Sequence, residues 1–504
     1  MLDRRTFVTS GSVLLATWPA FAEQQLPMVK VTIDARAAIG NLPHVWEECV
    51  GSDRAAITLR ESWRADLDRW QEEVGIKRVR FHGIFNDELN GSILPAWGSH
   101  EYIPNFQLVD QVYDGLLARK VSPFVELSFM PKALASADHV FGFYRGNVSP
   151  PASMDAWASF IKAFATHLME RYDPGAVRNW PFEVWNEPNL PPFWRGTQLQ
   201  YFELYKTTAV TLKSIDPGLQ VGGPATSSAQ WLPEFMDYCR QNNAPLDFIT
   251  THTYPGDNQK LLFGKKDSYA QADVVSEAVM RARRAIDATV FRDRPLWLTE
   301  WSSDSPAMIA HIITRSMPYC HAMSQWALSA TFEELGVDDY ILKEGDSGWG
   351  MMALGIAKPS FNTYKLLHRL GTTRLNAEGP ALASRRGNGS VAALVWNLAD
   401  VEQAAGLPGA SHTRNVKGEA KRYAIQITGA RPGQRVQVRY VDQERGSPMP
   451  AWRAMGSPQY IKPDQLKLLR RRAEIPPPQS MKLDTTGNVT LDLPPEGVAL
   501  LELI

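Results

Sequence analysis

Residues 181–190 read PFEVWNEPNL. An apolar run built on Phe182, Val184 and Trp185 stops at Asn186 and Glu187, and Pro188 follows at once. Proline has no N–H for a sheet ladder, so a strand that meets it must end. The carboxylate in front of it is either an ordinary strand end reaching water or a group held out for chemistry. The flanking sequence repeats the pattern. From about 40 to 370, short apolar runs alternate with stretches of helical period. The runs are PHVWEECV (43–50), KRVRFHGIF (77–85), SPFVELSFM (122–130), WPFEVWNEP (180–188), LQVGGPA (219–225), LDFITTHTY (246–254), RPLWLTEW (294–301) and QWALSATFEE (325–334). Helix candidates lie between them, such as 57–75, 154–172 and 272–291. Eight strand–helix units predict an α/β fold, the (β/α)8 TIM barrel. A doubly wound open sheet fits less well, because no Gly-rich first turn appears and polar residues recur at the strand ends.

After about 372 the texture changes. VAALVWNLA (391–399), YAIQITG (423–429), RVQVRYVD (435–442), GNVTLDLP (487–494) and GVALLELI (497–504) alternate apolar and polar residues between turn signals. That period predicts a C-terminal antiparallel β-sandwich domain. The predicted organisation is an export segment at 1–22, a strand at 23–39 joining the sandwich, a barrel at 40–371 and the sandwich at 372–504. SPQYIKPDQLKLLRRRAEIPPP (457–478) reads as a helical insertion bounded by prolines.

Bulk properties narrow the function. The chain has 504 residues, 44% hydrophobic and 21% charged, with a net charge of −1. The one dense basic stretch, KLLRRR at 467–472, reads as the solvated face of a short helix, so no nucleic-acid partner is expected. MLDRRTFVTSGSVLLATWPAFA has paired arginines, an apolar stretch and a small-x-small ending at Ala22, resembling a twin-arginine export signal with cleavage near Ala22. Nothing reaches membrane-span length. Cys49, Cys239 and Cys320 are too few for a disulfide framework. No zinc-type Cys/His spacing and no phosphate loop is visible, so neither metal nor cofactor is expected. The 16 Trp and 15 Tyr suit stacking against sugars as well as core packing.

In such barrels the active groups sit at the C-terminal strand ends. Those ends supply Trp46, Glu47 and Glu48; Arg80 and His82; Glu126 and Phe129; Asn186 and Glu187; His252 and Tyr254; Glu300 and Trp301; Trp326, Glu333 and Glu334. Two carboxylates facing one another across a barrel mouth suit acid-assisted cleavage of a glycosidic bond. Glu126, inside its strand, reads as a structural partner.

W-N-E-P ending the fourth strand and T-E-W ending the seventh resemble the retaining glycosidases built on this barrel. With VRFHGIF, PFVELSFMP, VWNEPNLPPFW, THTYP, FEELG and KPSFNTYKLLHRLG in order, the chain resembles glycoside hydrolase family 39, the β-xylosidase and α-L-iduronidase family, on its xylosidase branch. The resemblance implies Glu187 as acid/base and Glu300 as nucleophile, with Arg80 and Tyr254 holding Glu300. It implies Asn186 on the sugar 2-hydroxyl, and His82, His252, Phe193, Trp326 and one of Glu333 and Glu334 around the sugar. Adjacent strand residues face opposite ways, so one of that pair faces the site. The implied partner is an oligosaccharide or glycoside, the implied activity an exo-acting β-xylosidase. An α-L-iduronidase is the alternative within the family, and a non-catalytic carbohydrate-binding protein the alternative outside it. A uronic acid would need a cation, for which Arg54 is the candidate. TEWSSDSPAM (299–308) lacks the aromatic of the xylosidase pattern T-E-W-x-x-S-Y.

Overall fold

The computed structural model describes residues 26–95, 98, 102–264, 268–334, 342, 350–402 and 415–504; the expected export segment lies outside them. Eight parallel strands close into a barrel: β1 (Val50–Arg54), β2 (Arg78–His82), β3 (Ser122–Leu127), β4 (Pro181–Val184), β5 (Gln220–Thr226), β6 (Phe248–His252), β7 (Leu296–Trp301) and β8 (Ala322–Gln325). Each pairs with the next in sequence, and Gln325 opposite Val50 closes the ring. The principal helices between and after them are α1 (Glu61–Val74), α2 (Gln107–Leu117), α3 (Met154–Arg171), α4 (Gln198–Ile215), α5 (Leu232–Gln241), α6 (Gln271–Asp287), α7 (Pro306–Ser316) and α8 (Pro359–His368).

Local signals set the helix ends. The Ser153 side chain accepts from the Ala156 N–H at the start of α3, and Thr197 and Gln200 form a reciprocal capping box at α4. Pro306 opens α7 behind the Ser305 cap, and Gly75 closes α1 at φ 71°.

Two barrel strands differ from the expectation. PHVWEEC is a turn before β1 that buries Val45, Trp46 and Cys49, and β1 itself is the segment VGSDR. Val45 and Trp46 are 2% and 0% exposed without joining the barrel ladder, because an apolar run reports burial rather than backbone pairing. Likewise β8 ends at Gln325, where the expected run begins, so most of QWALSATFEE is the loop leaving the barrel.

Strand alternation puts Phe124 and Glu126 on one face of β3, and Phe248, Thr250 and His252 on one face of β6. The N-terminal end of the barrel is accordingly plugged by Phe124, Phe248 and Cys49, with Trp297 packed against them. Polar residues follow toward the opposite mouth.

A nine-stranded sheet forms the second, sandwich-like unit. Met28–Asn41 lies in it, antiparallel to Thr373–Glu378 and parallel to Lys421–Thr428. Period-two alternation on Val391–Trp396 sends Ala393 and Val395 into the sheet's own core, while Ala392, Leu394 and Trp396 join the barrel core. The insertion carries the helix Pro463–Arg472, anchored by buried Leu469 and by Arg470 Nε, which donates to Leu354 O at 2.8 Å. Cys49, Cys239 and Cys320 are free and buried. Among the described residues no helix is long and apolar enough to cross a membrane.

Candidate active site

Arg80, fully buried in β2, is the hub of the mouth. Its Nε donates to Glu183 Oε2 at 2.6 Å, Nη1 to Glu300 Oε1 at 2.7 Å, and Nη2 to Asn186 Oδ1 at 2.9 Å. Nη2 also lies 2.8 Å from Glu126 Oε2. A guanidinium in water could satisfy these N–H groups freely; in the barrel they fix the places of four side chains from three strands.

Glu300, at the end of β7, accepts at both oxygens: from Arg80, and from Tyr254 Oη at 2.6 Å. Acceptance at both oxygens is the pattern of an ionised carboxylate. Glu187, three residues past β4, is held differently. Its Oε1 lies 3.0 Å from His252 Nδ1, and its backbone N–H donates to Ala225 O at 2.9 Å. Burial pushes its carboxyl up to about 7, so it carries a proton near neutrality. Trp185 and Glu187 both sit in the left-handed region, at φ 74° and 41°. Such backbone costs roughly 1–3 kcal/mol per residue and is held only by surrounding contacts. Here the Trp185 indole donates to Phe193 O at 2.7 Å and packs edge-on to Phe129 and Trp194. The strain turns Asn186 and Glu187 out of the strand's alternation and into the mouth together.

The histidines take opposite charge states. His82 Nδ1 lies 2.8 Å from Glu126 Oε2. Burial works against the imidazolium, but the Glu126 charge and hydrogen bond, with Glu300 and Glu334 beyond, push it up to about 9. For His252 burial outweighs the neighbouring charges and pushes it down to about 4. Its Nδ1 sits between the carboxylates, 3.0 Å from Glu187 Oε1 and 3.7 Å from Glu300 Oε2. Its Nε2 and the Nδ2 of Asn186 are buried polar atoms without a partner among the described residues. Such orphans are costly unless something arrives to satisfy them.

Aromatic rings line the mouth. The Trp326 ring centroid is 4.8 Å from that of His82, and Phe193 is 4.4 Å from Phe141 and 6.0 Å from His82. Glu334 is buried, and burial with the charges of Asp53, Glu300 and Glu187 nearby pushes it up to about 8, against His82. Glu333 faces the other way: Arg60 grips both its oxygens and Arg54 Nη1 lies 3.0 Å from Oε2. Of the two, Glu334 belongs with the site and Glu333 does not. Glu47 and Glu48 are also away from it, because they precede β1 at the barrel's N-terminal end, paired with His44 and His368 and with Lys77 and Arg78. The sequence reading missed Glu183, which looks like one polar interruption in an apolar strand until Arg80 is seen to need it.

One oxygen or nitrogen from each of Glu187, His252 and Glu300 lies within 4.8 Å of the others, a spacing that could hold a metal ion. The donor set fits one poorly, since both Glu300 oxygens are already taken and the Arg80 charge opposes a second cation. The same spacing suits two carboxyl groups working on one atom, one protonated and one ionised.

The family model of glycosyl hydrolases family 39 matches residues 29–490. The chain is 32% identical over 497 residues to a β-xylosidase of Caldicellulosiruptor saccharolyticus, covering 92% of this chain and 96% of that one. It is 32% identical over 446 residues to a β-xylosidase of Geobacillus stearothermophilus, covering 82% and 83%. Among solved structures, a monomeric β-xylosidase of Caulobacter crescentus CB15 superposes with a TM-score of 0.82 at 33% identity, covering 94% of this chain and 99% of that one. A match across nearly the whole chain, on a closed parallel barrel with paired glutamates at its mouth, makes this protein a glycoside hydrolase and a member of glycosyl hydrolases family 39.

Proposed function

We propose that the protein is a retaining, exo-acting β-xylosidase that releases xylose from xylo-oligosaccharides, with Glu187 as acid/base and Glu300 as nucleophile. The observation that carries this reading is that one carboxyl oxygen of Glu187 lies within 4.8 Å of one of Glu300. Retention needs a short gap of about 5–5.5 Å, and inversion a longer one of about 6.5–9.5 Å that admits a water. In the first step Glu300 attacks C1 while Glu187 gives its proton to the glycosidic oxygen, so the aglycone leaves as an alcohol and a glycosyl ester forms. Consuming the Glu300 charge lets Glu187 hold its proton less tightly. It then takes a proton from water, whose oxygen attacks C1 and frees Glu300. The unpartnered Nδ2 of Asn186 beside Glu187 is the donor for the sugar 2-hydroxyl, a contact that strengthens toward the oxocarbenium-like transition state.

Arg54 argues for xylose over a uronic acid. It is 4% exposed and lies against three carboxylates, at 3.4 Å from Asp53, 2.8 Å from Glu88 and 3.0 Å from Glu333. A cation so matched has little charge left for a sugar carboxylate. The Arg4–Arg5 pair and the Ala22 ending support export before action on the substrate. The test is NMR of p-nitrophenyl β-xyloside hydrolysis. β-Xylose as the first product supports the reading, while α-xylose, or no xylose release beside cleavage of an iduronide, overturns it.

A further inference from the structure

Arg80 must do two things at once: hold Glu300 in place and leave it able to attack. Its guanidinium is planar, so fixing Nε and Nη2 fixes where Nη1 points. Glu183 fixes Nε, at 2.6 Å, in a layer of the barrel with no exposure. Its other oxygen accepts from Thr299 Oγ1 at 2.9 Å, and Thr299 is the residue before Glu300 on β7. Glu183 therefore ties β2, β4 and β7 together directly beneath the mouth. It also stands level with Glu126, its register partner on β3, so two carboxylates flank the one guanidinium that Glu300 uses.

We infer that Glu183 is a positioning residue, which aims Arg80 at Glu300 and Asn186 and, by sharing the guanidinium charge, keeps Glu300 a competent nucleophile. This rests on the assignment of Glu300 as nucleophile. Remove the Glu183 charge and the Arg80 field falls more heavily on Glu300, which then holds its electron pair more tightly. The same field reaches Glu187, where Arg80 already favours loss of the proton.

Glu183→Gln keeps the shape and can still accept from Arg80 Nε. The expected result is a fall in kcat/KM on an aryl β-xyloside of roughly 10- to 100-fold, by analogy with the hydrogen-bonded partners that orient metal ligands, with KM nearly unchanged. The alkaline limb of the pH profile moves to lower pH. Thr299→Val keeps the charge and loosens its seat, so it loses several-fold in kcat without moving that limb. A folded Glu183→Gln with wild-type kcat/KM and an unmoved limb overturns the inference. Should Glu183→Gln fail to fold, a wild-type kcat in Thr299→Val overturns it instead. Mass spectrometry after a 2-deoxy-2-fluoro-xyloside separates the two assignments. No label on Glu300 in the wild type sinks the nucleophile; label on Glu300 beside an indifferent Glu183→Gln sinks only the role of Glu183.

Discussion

At the N-terminal end of the barrel Glu47 lies 2.7 Å from His44 and 2.9 Å from His368, and Glu48 is paired with Lys77 and Arg78. At the C-terminal mouth Arg80 and the imidazolium of His82 are spread over Glu126, Glu183 and Glu300. Glu187 and Glu334 are left over, and burial pushes them up to about 7 and about 8. Burial alone would also raise Glu47, but its hydrogen bonds to His368 and His44 and their charges outweigh it and lower the carboxyl. The two ends use the same residue type. Where cations match carboxylates, the result is fastening; where carboxylates outnumber cations, protons are kept and become available for transfer.

The strongest way to break this comparison is Glu300→Ala. Removing the proposed nucleophile should lower kcat on an aryl β-xyloside on the order of 10⁴- to 10⁶-fold, with the thermal midpoint kept. A loss below about tenfold would reduce the mouth to another set of ion pairs. Glu187→Ala comes next, with a loss of roughly 10²- to 10⁴-fold on poor leaving groups and a smaller one on activated aryl glycosides. Azide should restore turnover through a glycosyl azide that keeps the β configuration, and absence of that product would remove Glu187 from the acid/base role. Phe124→Ala tests the plug. Emptying a fully buried phenylalanine site should cost about 3–5 kcal/mol of stability, read from denaturant unfolding, while kcat/KM at low temperature stays near wild type. Lost activity at full stability would mean that plug and mouth are not separate.

The strands from β2 to β7 were legible because each lies within a short apolar run set between stretches of helical period. β1 was not. Gly51 in VGSDR stays bare because Trp326 fills the space beside it: a Cβ there would meet Trp326 Cε3 at 2.6 Å. No local pattern reveals that a distant indole replaces a strand's own side chains. The strand ends supplied Glu187 and Glu300 as candidates, but pairing them, and setting Arg80 and Tyr254 beside Glu300, needed the family resemblance; the structure has both groups hydrogen-bonded to Glu300. Glu183 was not legible, since a carboxylate inside FEV carries no sign of the arginine 103 positions earlier that makes it tolerable. The choice between Glu333 and Glu334 waited on Arg54 and Arg60, which grip only one of them.

The finest test sets Glu187 and Glu47 against each other through pH. Unfolded, both ionise near 4.5. Folded Glu187 keeps its proton to about 7, so between those values the folded state binds more protons than the unfolded one. Its contribution to stability is complete below about 4.5 and is lost as pH rises through about 7. Glu47 runs the other way: its carboxyl is lowered, so its contribution is present above about 4.5 and is lost as pH falls through the lowered value. Glu187→Gln should therefore gain thermal midpoint over the wild type as pH rises from about 5 to 8. Glu47→Gln should lie below the wild type above about pH 4.5 and approach it as the pH falls further. The Glu187 difference should reach a few kcal/mol, at roughly 1.4 kcal/mol for each pKa unit between 4.5 and about 7, and for Glu47 the sign is the reading. Calorimetry across that range would show opposite slopes for the two variants. Slopes of the same sign would mean that mouth and floor treat a buried carboxyl alike, and the proton at Glu187 would need another cause.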